Sequence, residues 1–311
     1  MPDFPRRLPE TLVGIADPII DVLGPLVPHA DADRARSALS RMDVLSAVSL
    51  GLEVVLPPHA PACDVSVLMP AQRIPAFAEG RHPSLILLAE GGGELESTWW
   101  ELDTSTDDTA IGAFVRFTGA HPMPLAREAA SSLPALSRAI EALTHVITPY
   151  WRGEGRLIGF FPDRRPLPVA AALLPGYGMD AESALRQLAL QATASVDPDS
   201  SLIAHLRAQV NAVALAVGAD ASGHVAVSWE GSFREREIAM AEHRWGPVLQ
   251  PADVWGAASA SLASLLAVQG VHTFDSLPTV RLLSGIDHIK IGPGGRVKAY
   301  VGAHIVSTSY R

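Results

Sequence analysis

The chain has 311 residues, 48% of them hydrophobic and 18% charged, with a formal net charge of −9. That is enough for one large domain or two ordinary ones with a sizeable core, and the acidic balance argues against general nucleic-acid binding, which needs a basic face. A single cysteine, Cys63, excludes an intrachain disulfide and a cysteine-based zinc site.

The N-terminal run from Met1 to Arg7 is followed at once by Pro9 and Glu10, so it lacks the uninterrupted apolar segment of a signal peptide. No uncharged apolar run approaches the length that spans a bilayer. The sequence therefore predicts a soluble cytoplasmic protein with neither membrane nor nucleic-acid partners. The abundance of Ala, Pro, Gly and Arg suggests a GC-rich bacterial source.

Residues 8–27 read as one or two short helical turns broken by Pro18 and Pro25, and residues 31–48 as a helix with Leu39, Met42 and Leu45 near one face. A first strand pair follows, Leu52–Leu56 and Asp64–Pro70, joined by a Pro-rich loop in which we place Cys63. Side chains alternate faces along a strand. Leu52, Val54 and Leu56 thus share one side and Glu53 and Val55 the other, while Val65, Val67 and Met69 oppose Asp64 and Ser66.

The segment Ser84–Glu90 is helix or strand, ended by Gly91-Gly92-Gly93. The second pair is Ser97–Thr104 and Ile111–Thr118. Here Trp99, Glu101 and Asp103 lie opposite Trp100 and Leu102, and Gly112, Phe114 and Arg116 lie opposite Ile111, Ala113, Val115 and Phe117.

Residues 124–147 carry a helical stripe of Leu133, Leu136, Ile140 and Leu143. The third pair, Arg156–Phe161 and Pro168–Leu174, is apolar on both sides, so alternation assigns no faces. Residues 180–194 read as a helix capped by Asp180, and Leu202, Ile203, Leu206 and Val210 mark the next. The fourth pair is Ala212–Ala219 and His224–Glu230, turned by Asp220-Ala221-Ser222-Gly223. Helices are predicted over 234–245, whose start Arg234-Glu235-Arg236-Glu237 is a solvated face, and over 253–268. The fifth pair is Ile286–Ile291 and Arg296–Val301, turned by Gly292-Pro293-Gly294-Gly295, with His288 and Lys290 on one face and Arg296, Lys298 and Tyr300 on one face.

Five strand hairpins separated by helical stretches can close into one ten-stranded antiparallel barrel with the helices outside, an α+β fold of a single domain over residues 1–311. A sheet coated by amphipathic helices presents its apolar face to them, so the mixed face turns into the lumen. On this reading the lumen collects Glu53, Asp64, Ser66, Trp99, Glu101, Asp103, Phe114, Arg116, Ser228, Glu230, His288, Lys290, Lys298 and Tyr300. Burying so many ionisable groups is costly unless they are paired, hydrated or in contact with a ligand.

Several of these residues have a structural reading as well. Glu101 and Arg116 can form a cross-strand ion pair worth about 0.2–1 kcal/mol. His288 can act as an acid or base near neutral pH or simply pack on its strand. The sequence has no HExxH motif, and His145, His205, His243 and His304 show no metal-ligand spacing. The two glycine runs lack the strand–glycine–helix context of a phosphate loop.

Five helix–helix–strand–strand units with a polar lumen resemble the ABBA, or PT-barrel, prenyltransferases. Gly51-Leu52-Glu53-Val54-Val55 resembles the first-hairpin segment that carries the catalytic glutamate of the indole and peptide enzymes, and Val297-Lys298-Ala299-Tyr300 resembles their diphosphate-binding Lys-x-Tyr pairs. The resemblance implies that Glu53 takes the proton of an aromatic or peptide acceptor, that Arg116, Lys290, Lys298 and Tyr300 hold the diphosphate of a prenyl donor, and that tyrosine rings shield the allyl cation.

The chain departs from that pattern at several places. The first and third return strands have no basic residue, and the fourth offers Ser228 and Glu230. There is no Asp-rich magnesium motif, since Asp107-Asp108 sits in a predicted turn.

Three readings therefore stand: a prenyltransferase of natural-product tailoring, with prenyl diphosphate as co-substrate; a cofactor-free cyclase or other tailoring enzyme using Glu53, Glu101, His288 and Tyr300; and a non-catalytic barrel that captures a hydrophobic metabolite or peptide. Trp99, Phe114 and Glu230 complete the candidate substrate-binding set.

Overall fold

The computed structural model describes residues 16–23, 29–40, 49–56, 62–70, 95–103, 110–117, 127, 131, 133–150, 156–160, 169–175, 180–210, 212–232, 270–274 and 277–307. Among them are five α-helices: α1 (Ala16–Leu23), α2 (His29–Ser40), α3 (Pro134–Ile147), α4 (Ala181–Gln191) and α5 (Ser201–Arg207). Twelve strands form the sheet: β1 (Ser49–Leu56), β2 (Ala62–Pro70), β3 (Leu95–Asp103), β4 (Ala110–Phe117), β5 (Arg156–Phe160), β6 (Ala170–Pro175), β7 (Ala194–Ser195), β8 (Ala212–Ala219), β9 (Val225–Ser232), β10 (Gly270–Phe274), β11 (Leu277–Ile291) and β12 (Val297–Ser307).

The strand order is β10-β11-β12-β1-β2-β3-β4-β5-β6-β8-β9-β7, and β9 pairs in addition with β11. Every pairing is antiparallel except the two-residue contact of β7 with β9. The second edge of β9 is shared. Its first half takes β7, and its last four residues, Trp229–Ser232, take Ile291 back to His288 of β11. The corresponding edge of β11 is divided as well, with β10 occupying its N-terminal part.

Helices cover one face of this sheet. α3 packs on β6 and β8, α4 on β8 and β9, α5 on β9, α2 on β2, and α1 on β12, β1 and β11. The strand positions beneath them are buried and apolar: Leu215, Val217 and Ala219 on β8, Val225, Val227 and Trp229 on β9, Ile286, Ile289 and Ile291 on β11, and Val297, Ala299, Val301 and Ala303 on β12. The helix side supplies Leu136, Ile140, Leu143 and Ile147 of α3, one stripe at helical spacing. Pro134 stands in the first turn of α3, where a missing amide costs nothing. Asp180 caps α4 by accepting from the amides of Glu182 and Ser183. The alternate strand positions form what we call the reverse face.

Glycine and aspartate make the two described hairpin tips. Gly223 sits at φ +86°, and Gly294 and Gly295 at +73° and +71°, the left-handed region where a Cβ is strained. Asp220 Oδ1 accepts from the amides of Ser222 and His224 at 2.8 and 2.9 Å. The carboxyl of Asp220 is pushed up by burial, but these donors and the His224 ring together outweigh that and hold it below its usual range.

The structure adjusts the sequence reading at several points. Cys63 belongs to β2, opposite Val54, not to the loop. The helix beginning at Ala181 ends at Gln191, and Ala194–Ser195 turn into β7, because the amides of Thr193 and Val196 find carbonyls of Val225 and Val227. The fifth hairpin is far longer than its predicted core: β11 starts at Leu277, and β10 precedes it. The third hairpin acquires faces, with Ala170, Ala172 and Leu174 buried under the helices and Ala171 and Leu173 on the reverse face. The predicted elements at 84–90, 234–245 and 253–268, and the turn with Asp107 and Asp108, lie outside the described residues.

Candidate active site

Antiparallel partners share a face, so the register maps the reverse face row by row. One row runs Glu230 (β9), Lys290 (β11), Lys298 (β12). The next runs Ser232, His288, Tyr300 and Val55 of β1. The third runs Gly285, Gly302, Glu53 of β1, Asp64 of β2 and Asp103 of β3. Six residues expected to serve one site, Glu53, Glu230, His288, Lys290, Lys298 and Tyr300, thus fall in three successive rows on four strands.

A β-bulge assembles this group. The register of β11 against β12 shifts between Ile286 and His288, so Asp287 is an extra residue. Strict alternation would put His288 on the helix face with Ile286. The inserted residue moves His288 and Lys290 to the reverse face, opposite Tyr300 and Lys298. Bulges re-aim side chains in this way and are common beside functional sites. The rings of His288 and Tyr300 stack with centroids 3.9 Å apart and planes 18° from parallel. Both side chains are half-buried, as are Lys290 and Glu230, while Lys298 is exposed.

Next to this stack lies a feature that residue chemistry did not announce. Gly285 and Gly302 face each other across β11 and β12. Two glycines in register leave a patch of wall with no side chain, bordered by the Tyr300–His288 row on one side and continued by Glu53 in its own row. Glycine inside a strand marks a place where a ligand can approach the backbone closely. The only sequence signal for it would have been the two glycines at reverse-face positions of strands that otherwise carry large residues.

The remaining predicted residues lie on β3 and β4. Trp99 and Phe114 are direct partners. Glu101 is opposite Ser66 and Gly112, and Arg116 is opposite Ser97 and Leu157. Glu101 and Arg116 are therefore not cross-strand partners, since the register separates them by four residues along the ladder. Trp100, on the helix face, is 1% exposed and belongs to the core.

The reverse face is uneven in character. From β5 to β8 it carries Leu157, Gly159, Ala171, Leu173, Ala214, Ala216 and Gly218. From β11 through β3 it carries most of the candidate ionisable residues, with Glu230 of β9 and Arg116 of β4 flanking them. Within that arc Glu53, Asp64 and Asp103 occupy adjacent positions on three strands, and like charges so placed repel unless a proton or cation neutralises one.

A separate cavity of about 200 Å³ lies on the helix side, floored by Leu185, Ile203, Val213 and Trp229 and rimmed by Glu182, Arg186, Asp199 and Arg207. Its rim is exposed ion pairs: Arg186 with Asp199 and Glu182, and Arg207 with Glu182. Hydrogen bonding to Arg186 holds the Asp199 carboxyl below its usual range, and such exposed pairs contribute little to stability. None of the candidate site residues lines this cavity. Among the described residues there is no cluster of potential metal ligands and no helix long and apolar enough to cross a membrane.

No family model matches the sequence, and no curated protein matches it. Solved structures do. A 6-dimethylallyltryptophan synthase from Micromonospora olivasterospora, in complex with DMASPP and Trp, is similar at a TM-score of 0.58 with 14% identity, covering 95% of this chain and 96% of that one. AnaPT from Neosartorya fischeri gives 0.54 with 9% identity, covering 94% and 92%. The prenyltransferase PriB in its apo form gives 0.51 with 14% identity, covering 94% of each chain. The chain therefore has an ABBA prenyltransferase-like fold, a mixture of helices with an antiparallel sheet.

Proposed function

We propose that this chain, as one domain, is a natural-product tailoring enzyme that transfers a prenyl group from prenyl diphosphate to an aromatic or peptide acceptor, inside a closed ten-stranded barrel. The ladder supports closure. From His304 the partners run Gly51, Ser66, Glu101 and Gly112. Two residues further along β4, Phe114 leads through Gly159, Ala171 and Gly218 to Ala226. Four residues further along β9, Glu230 leads through Lys290 to Lys298, six short of the start. The two steps and the gap make a stagger of 12 residues over ten strands. With usual strand spacings that corresponds to a tilt of about 40° and a backbone radius of about 10 Å, within the range of barrels that hold a ligand.

The observation that carries the reaction is the grouping of Glu53, Tyr300, Lys298 and Lys290 around the Gly285–Gly302 patch. In the proposed reaction the bond from the allylic carbon to the diphosphate oxygen breaks, and diphosphate leaves with the electron pair. Lys290 and Lys298 balance its charge, with Arg116 facing the same interior from β4. The π-face of Tyr300 stabilises the allylic cation. The acceptor's nucleophilic atom bonds to that carbon, and Glu53 takes the proton it releases.

A second reading is favoured by one specific observation. The reverse-face positions of the return strands β2, β6 and β9 offer Asp64, Ser66, Ala171, Leu173, Ser228 and Glu230 and no cationic side chain to meet a diphosphate. Beside the Glu53–Asp64–Asp103 row this composition suits a barrel that has lost diphosphate binding and performs cyclisation or another cofactor-free reaction.

Melting curves separate the two. Dimethylallyl or geranyl diphosphate should raise the melting temperature of a donor-binding enzyme, and the double variant Lys298→Ala, Arg116→Ala should abolish the rise. No shift with any prenyl diphosphate would discard prenyl transfer and leave the second reading.

A further inference from the structure

The proposed reaction leaves the cleft on the helix side of the sheet without a task. α4 rests on β8 and β9, and α5 rests on β9. Between the two helices lies the cavity of about 200 Å³. That is room for one six-membered ring, since an engineered apolar cavity of roughly 150 Å³ already takes up benzene. The floor is apolar: Leu185 and Trp229 are 2% exposed and Ile203 is 7% exposed, with Val213 beside them. The indole of Trp229 lies along its own strand, over Gly231, where a Cβ would come within 2.5 Å of its Cη2. A flat aromatic floor of this kind favours an aromatic ring as its partner.

The rim sets the charge of what the cleft suits. Asp199 has both carboxylate oxygens on Arg186, and Glu182 gives one oxygen to Arg186 and the other to Arg207. Each of these oxygens thus already faces a guanidinium donor. The donors are not used up. Arg207 spends one N–H, at Nη1, of the five that a guanidinium carries, and the Ser200 hydroxyl makes no cap bond to its own helix. What the rim has to spare is donating capacity, and the fork of an arginine matches a planar carboxylate. We propose that this cleft is a binding site for a small aromatic carboxylate, its ring on the Trp229 floor and its carboxylate on Arg207 at the mouth. The site lies outside the bore, so it stands or falls independently of prenyl transfer.

The test uses phenylacetate as the probe and 2-phenylacetamide as a neutral control of the same shape. Binding is followed by fluorine NMR on protein labelled with 5-fluorotryptophan, with the Trp229 resonance assigned from Trp229→Phe. Both probes should move that resonance. The acid should bind about tenfold more tightly than the amide, the scale of one charge-assisted hydrogen bond, against the repulsion of a chain whose net charge is −9. Arg207→Gln should bring the acid down to the affinity of the amide. Ala204→Trp, at an exposed helix position that lines the mouth, should abolish binding of both probes and leave the melting temperature at the wild-type value. A Trp229 resonance that neither probe moves overturns the proposal. So does equal binding of acid and amide, an advantage of the acid that outlasts Arg207→Gln, or binding that survives Ala204→Trp.

Discussion

The two arcs of the reverse face are built to different rules. From β5 to β8 the positions hold Ala, Gly and Leu, with Pro175 at the end of β6, and the opposite faces of β6 and β8 are among the best buried of the described residues, with Ala170, Leu174, Leu215 and Val217 at 0% exposure. From β11 through β3 the positions hold Glu53, Asp64, Glu101, Asp103, His288, Lys290, Lys298 and Tyr300. The small-residue arc leaves volume and places no demand on solvation. The ionisable arc leaves charge that must be met. Under the proposed function, room on one wall and ionisable groups on the other would suit a ligand with a bulky apolar part and a reacting polar edge, with β11, β12 and β1 carrying the proposed chemistry.

If that division is right, removing the proton acceptor should abolish chemistry without disturbing the other arc. Glu53→Gln is expected to lower turnover of a prenyl acceptor by about 10²–10⁴-fold, the usual contribution of a positioned base, with donor affinity little changed. Single-turnover kinetics with calorimetric donor binding measures both. Loss of donor binding alone would mean that Glu53 orders the wall rather than moving a proton.

The arcs meet where β9 passes from β7 to β11, and a tryptophan closes that joint from the helix side. A Cβ built on Gly231 would lie 2.5 Å from Trp229 Cη2 and 2.7 Å from Val210 Cγ1, because the Trp229 ring lies across the glycine. Gly231→Ala should therefore destabilise the protein by about 1–3 kcal/mol, the cost of overpacking a tight site, measured by urea denaturation. An effect near zero would show that the joint yields easily and that the arcs are not rigidly coupled.

What could be read in the sequence follows the same division. Alternation was legible wherever a strand carried charge on one face and apolar residues on the other, as in β1 to β4, and the hairpin tips were legible because Asp220-Ala221-Ser222-Gly223 and Gly292-Pro293-Gly294-Gly295 need left-handed glycine. In β5 and β6 every residue after Arg156 is apolar, so period two had no contrast. β10 and the first half of β11 escaped because Gly270–Leu283 mixes polar and apolar residues without a period. Register is a long-range property: no local pattern says that Glu53 faces Gly302, that Glu101 faces Gly112 and not Arg116, or that Asp287 is the residue at which the phase slips. The sequence could nominate the six candidate residues, but only the register shows that they fall in neighbouring rows beside the Gly285–Gly302 pair.

Acid should act on the two arcs with opposite signs. In the small-residue arc, Asp220 ties the β8–β9 tip with its carboxylate held below the usual range. A depressed folded-state value means stability that is present above the unfolded carboxylate value, near 4, and lost as pH falls through the folded one. Asp220→Ala should cost about 1 kcal/mol at pH 7 and progressively less below pH 4, read from denaturation at each pH.

The ionisable arc carries the smallest effect and the sharpest contrast. Glu53, Asp64 and Asp103 stand in adjacent register across β1, β2 and β3, and like charges directly opposite destabilise a sheet by a few tenths to about 1 kcal/mol. Asp103→Asn removes one charge at constant shape and should stabilise the protein by that amount at pH 7 and low salt. The gain should shrink with added salt, which screens the repulsion, and in acid strong enough to protonate the row in both proteins. Destabilisation at pH 7 would reverse the argument. It would mean that the row is already neutralised by a bound cation, and that the ionisable arc is held together by the very charges expected to strain it.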